Sequence, residues 1–125
     1  MAQTVLDYRT LVKATSDCVP EFKSGTVKTG QGALTAGTVL IVEQATDKYI
    51  VFDSTTLVAG TVVLLEDIDT TSADVDADLL VKGNLDKDDL VFAGSTITAF
   101  SDYVRGVLAM NNIFAREYDI AFQEV

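Results

Sequence analysis

Histidine is absent from the 125 residues. The commonest general base and the commonest transition-metal ligand are therefore missing. Zinc sites, Ser-His-Asp triads and Cys-His dyads are closed to a single chain of this composition. Cysteine occurs once, as Cys18, so no disulfide can form within the chain. Cys18 reads as a small, partly buried hydrophobe, since a nucleophilic thiol would want a base beside it. Basic residues are few: 9 Lys and Arg stand against 19 Asp and Glu, a formal net charge of −10. That balance argues against nucleic-acid binding built on phosphate contacts and against docking on an anionic membrane. No apolar run approaches the ~20 residues that cross a bilayer. Residues 1–8 carry neither a basic segment nor an apolar one, so no secretory signal is read and synthesis in the cytoplasm is expected.

What is present is a foldable core. Apolar residues make up 48% of the chain, too many for a disordered acidic tail. The length suits one domain. Residues 1–32 show no clear period and read as an extended N-terminal arm, with room for one short strand or turn. Val5, Leu6, Tyr8, Leu11 and Val12 are its apolar anchors. The core is expected to begin near Ala33, giving a β domain over residues 33–125.

Four β-branched runs follow: residues 37–43, 48–53, 60–66 and 77–83. The short polar link Gln44-Ala45-Thr46-Asp47 makes the first two a hairpin. Residues 67–76 read as an acidic loop, and Gly83-Asn84 as a break. Asp86 is placed to cap a short turn through Leu90, with Asp88 and Asp89 favourable near its N-terminus. Ile97, Phe100, Val104, Val107 and Leu108 share one face of a helix. Ser101 or Thr96 would cap it, and Asn111-Asn112 would end it. Residues 113–118 read as a last strand. Several strands, one helix and short non-crossover links predict a mainly β, antiparallel α+β domain.

The chemical motifs fail one by one. Asp74-Val75-Asp76-Ala77-Asp78 opens like a calcium loop, but Leu79 and Leu85 stand where an EF-hand needs Gly and Glu. A solvated acidic connection is the simpler reading, with weak calcium binding left open. Gly30-Gln31-Gly32 lacks a third Gly at the dinucleotide-binding spacing, and no Walker-type sequence occurs. Thr46-Asp47-Lys48 between two strands is similar to the hairpin tip of lipoyl carrier domains, where Lys48 would carry the cofactor. Those domains show two similar halves, and no internal repeat is found here. No catalytic residue, metal site or cofactor is expected.

From Gly37 onward the order of features resembles the head decoration proteins of tailed bacteriophages, the group typified by lambda protein D. The residues that carry it are Ala36-Gly37-Thr38-Val39-Leu40, Lys48-Tyr49-Ile50-Val51 and Ala59-Gly60-Thr61-Val62-Val63-Leu64-Leu65-Glu66-Asp67-Ile68-Asp69-Thr70-Thr71. Val81-Lys82-Gly83 and Asp86-Lys87-Asp88-Asp89-Leu90-Val91 complete the pattern, which spans roughly residues 33–118. Residues 1–32 match nothing firmly.

The resemblance implies a small β-clip or incomplete-barrel domain with one short helix near the C-terminus. It implies a non-enzymatic homotrimer, made in the host cytoplasm and bound to the major capsid protein on the outer surface of the virion capsid. It also implies an arm that adds a strand to the capsid sheet, with Val5, Leu6, Tyr8, Leu11 and Val12 in contact. The alternatives from other classes are a tail-tube or spike-base component, or a lipoyl-like carrier using Lys48.

Overall fold

A computed structural model describes residues 12–13, 19–53 and 60–116. In chain order the strands are β1 Val12–Lys13, β2 Glu21–Val27, β3 Ala33–Leu34, β4 Val39–Glu43, β5 Lys48–Val51, β6 Thr61–Leu64, β7 Ile68–Asp69 and β8 Val75–Asp86. A 3-10 turn at Lys87–Asp89, the helix α1 at Asp102–Met110 and the strand β9 at Ile113–Arg116 complete the described chain. The fold is mostly β with one short helix, as expected.

β8 organises the sheet. Its 12 residues exceed the common strand length of about 5–6. That length lets it pair with β1, β2, β6 and β9. β4 pairs with β5 in the expected hairpin, Glu43 opposite Lys48, and with β6 on its other side. The tip is closed by the Asp47 N–H donating to the Glu43 carbonyl at 2.8 Å, with Asp47 at φ 59°. β3 and β7 form a separate two-stranded ribbon.

The apolar runs are continuous because both faces of the sheet are buried. Successive strand residues point to opposite faces. On β6, Val63 packs with Phe52, Leu80, Val104 and Leu108, while Val62 and Leu64 pack with Val27, Leu40, Tyr49 and Leu79. The neighbours Leu79 and Leu80 on β8 serve one cluster each, and both are fully buried. Helix α1 covers the first face through Val104, Val107 and Leu108.

Several boundaries differ from the sequence reading. The core starts before Ala33: β2 pairs with β8 along its length, and Val27 is fully buried. Backbone pairing, not an apolar pattern, holds this strand, since residues 21–24 are exposed. The chain does not break at Gly83-Asn84. β8 continues there because β1 and β9 flank residues 84 and 85 from either side. The loop 67–76 contains β7 and the start of β8.

The β8–β9 pairing is parallel, so the link 87–112 is a crossover carrying α1, not a short turn. The helix starts at Asp102. The Ser101 hydroxyl accepts the Val104 N–H at 3.3 Å, which makes Ser101 the cap, and Asn111 and Asn112 end the helix as expected. Ile97 and Phe100 precede it but still pack on its cluster. The Asp86 cap forms, its carboxylate accepting the Asp88 N–H at 2.9 Å. Gly37, at φ +98°, admits no side chain, because a Cβ there would run into the Asp89 carbonyl oxygen.

Candidate functional site

The acidic segment is committed to structure. The Asp74 carboxylate takes the Lys48 ammonium at 2.6 Å and the Thr29 N–H at 2.8 Å. The lysine holds the Asp74 carboxyl below the ordinary aspartate range. Asp67 accepts the Ala36 N–H, Asp69 the Thr71 hydroxyl and N–H, Glu66 the Asp78 N–H, and Asp76 the Thr26 hydroxyl. Among the described residues no group of three or more His, Cys, Asp or Glu side chains is arranged to hold a metal ion. Lys48 opens β5 and is engaged with Asp74 in an ion pair, so it does not project freely from a hairpin tip. No described helix is long and apolar enough to cross a membrane.

Two polar hubs escape sequence reasoning. Asp53 accepts the N–H groups of Ser95, Thr96 and Ile97 and the Ser95 hydroxyl, at 2.7–3.1 Å. These donors, the Ile97 N–H first among them, lower its pKa. The hub pins the approach to α1 against the end of the β4–β5 hairpin. Gly94 belongs to it, since a Cβ there would collide with the Asp53 carboxylate. Asn111 does more than stop the helix. Its Oδ1 accepts the Gly60 and Thr61 N–H groups, and its Nδ2 donates to the Val107 carbonyl. The Asp53 bonds span 42–44 residues of chain and the Asn111 bonds to Gly60 and Thr61 span 50–51, so no local spacing signals them.

The arm residues Val5, Leu6, Tyr8 and Leu11 lie outside the described residues, as does Cys18. Val12 begins β1 and stands opposite Leu85, with Lys13 opposite Asn84. The root of the arm is thus sewn to β8, across from β9. Among the described residues the exposed large apolar side chains are Val19 and Phe22, near the start of β2, and Tyr103 and Met110 on α1. Between α1 and β9 runs a groove of about 170 Å³ lined by Arg105, Ala109, Phe114, Ala115 and Arg116. Exposed apolar positions and arginine are residue types enriched at binding surfaces.

The family model of the bacteriophage lambda head decoration protein D matches residues 11–107, well over half of the chain. The chain belongs to that family. The match begins at the arm root and runs through β8 into α1, so the head decoration pattern extends further toward the N-terminus than residues 33–118. It bears out the resemblance read from the strand motifs. Head decoration proteins are structural phage components, which fits the commitment of the described carboxylates to turns and caps. No curated protein matches the chain.

Proposed function

We propose that this head decoration protein is a capsid cement. It binds the outside of an expanded phage head as a homotrimer at three-fold positions, contacts the major capsid protein, and stabilises the shell against the pressure of packaged DNA. The family match over residues 11–107 carries this reading.

The segment ahead of β2 supplies the attachment, with Val5, Leu6, Tyr8, Leu11 and Val12 as the working contacts. An extended segment that adds to a sheet edge gains affinity from main-chain hydrogen bonds and specificity from alternate side chains. Three arms on one trimer multiply a weak contact through effective concentration. Expansion of the shell creates the site, so binding follows maturation. A binding-only role needs no histidine and no contact with the genome, and a net charge of −10 keeps decorated particles soluble.

Deleting residues 1–11 leaves β1 and the sheet intact. The expected product is a folded trimer that no longer decorates expanded heads in a sedimentation assay. Saturation of heads by the truncated protein would overturn the arm model. A ring of six subunits in solution would point to the tail instead of the head.

A further inference from the structure

Arg105 on α1 and Arg116 on β9 line the same groove, with Ala109, Phe114 and Ala115 between them. Four lysines of the domain have carboxylate partners: Lys28 with Glu43, Lys48 with Asp74, Lys82 with Glu21 and Lys87 with Asp88. Among the described residues neither arginine has one, in a chain with 19 acidic and 9 basic residues. Both guanidinium groups are nonetheless held in place. Arg105 donates to the Ala115 carbonyl at 2.8 Å and lies 5.0 Å from the Phe100 ring centre. Arg116 donates from Nε to the Asn84 Oδ1 at 3.3 Å and lies 5.6 Å from the Phe114 ring centre. A guanidinium has five N–H donors, so a single bond leaves most of its fork to offer. A pair of stacked, pre-positioned arginines is suited to carboxylate recognition. On the same helix Met110 is 61% exposed.

We propose that this groove receives a carboxylate-bearing segment of a second copy of the chain, and that it is one half of the contact between subunits. The chain supplies its own complement, because its net charge is −10 while the groove is basic. Charge also decides the geometry. Two grooves meeting across a two-fold axis would set arginine against arginine. A head-to-tail contact sets arginine against the acidic surface of the next subunit, and such a heterologous contact closes into a ring of three when successive subunits are turned by a third of a circle. The inference rests on the trimer reading above and adds to it the surface and the chemistry of the contact.

The test compares the full chain with Arg105→Glu/Arg116→Glu and with Met110→Glu. Molar mass is measured by light scattering, fold by circular dichroism, and decoration by sedimentation with expanded heads. The expected result is a mass that falls from that of three chains to that of one, with an unchanged dichroism spectrum. Met110→Glu alters one exposed side chain beside the groove and decides the matter if the double variant does not fold. Trimers that persist in Met110→Glu and in a folded double variant would overturn the groove proposal while leaving the trimer reading intact. Intact trimers that no longer decorate heads would also overturn it, by assigning the groove to the shell. A monomeric wild-type protein would overturn the trimer reading and the groove proposal together.

Discussion

The two faces of the central sheet are closed by different means. One is covered by α1, a separate element that brings Val104, Val107 and Leu108 down onto Val63, Leu80 and Leu85. The other is closed by the sheet itself. There the Tyr49 ring lies against β2 at Gly25, with the Lys23 ammonium donating to the Tyr49 hydroxyl at 3.1 Å. A helical lid tolerates variation at positions such as Gly106, where an added Cβ meets nothing within 4 Å. A cover made of backbone has no slack, because each strand is fixed by the next.

The largest expected effect comes from truncating the adjacent leucines of β8. Leu79→Ala and Leu80→Ala should each cost about 2–5 kcal/mol, the usual range for a buried leucine. Their local consequences should separate. Hydrogen exchange should quicken in Asp102–Met110 for Leu80→Ala and in Glu21–Val27 for Leu79→Ala. Equal loss of protection in both segments for both variants would mean that the two faces form one cooperative core.

A pair of glycines sharpens the contrast. A Cβ on Gly25 would stand 2.7 Å from Leu79 Cδ1 and from Tyr49 Cε2, whereas one on Gly106 would meet nothing within 4 Å. Gly25→Ala should therefore destabilise by about 1–3 kcal/mol through overpacking. Gly106→Ala should stabilise by about 0.5–1 kcal/mol, since it removes a helix-interior glycine at no steric cost. Urea denaturation at one protein concentration measures both. A gain from Gly25→Ala would show that the strand-built cover has slack after all.

The smallest effect concerns the approach to the helical lid. The Asp53 carboxyl titrates below its ordinary value because the charged form is held by the Ile97, Ser95 and Thr96 N–H groups. Its contribution is present above the unfolded aspartate range and is lost as pH falls through the lowered folded value. The amide resonances of Ser95, Thr96 and Ile97 should shift together with a midpoint below about pH 4, the ordinary aspartate value. The shift should vanish in Asp53→Asn, while the β2 amides stay unmoved. A midpoint at the ordinary value would remove the hub from the account.

The contrast also explains what the sequence made legible. The β4–β5 hairpin, the Asp86 and Ser101 caps and the Asn111-Asn112 stop all depend on residues within a few positions of one another. Local chemistry announces them. β2 does not announce itself, because its polar residues are exposed and its partner lies some 50 positions away. Separations of 42–51 positions likewise hide the bonds of Asp53 to residues 95–97 and of Asn111 to Gly60 and Thr61. Arg105 and Arg116 belong to different elements, so the groove exists only once the crossover is made. The family was legible because its signature lies in the strand runs and their order. The arm contacts were read from scattered apolar positions, of which the described residues include only Val12.

β8 sets an order of assembly. The β4–β5 hairpin joins neighbours in sequence, and little loop-closure entropy opposes it. β1 pairs with β8, and β2 meets β5 at Val27 and Tyr49 but has the rest of its pairing with residues 75–82, and such distant pairings form slowly. The root of the arm is therefore fixed late, after β4, β5 and β6 can already associate. A chain interrupted before Val75 would lack the partner of β1 and most of the partner of β2, so the strands ahead of residue 28 are tied down only when the domain is nearly finished.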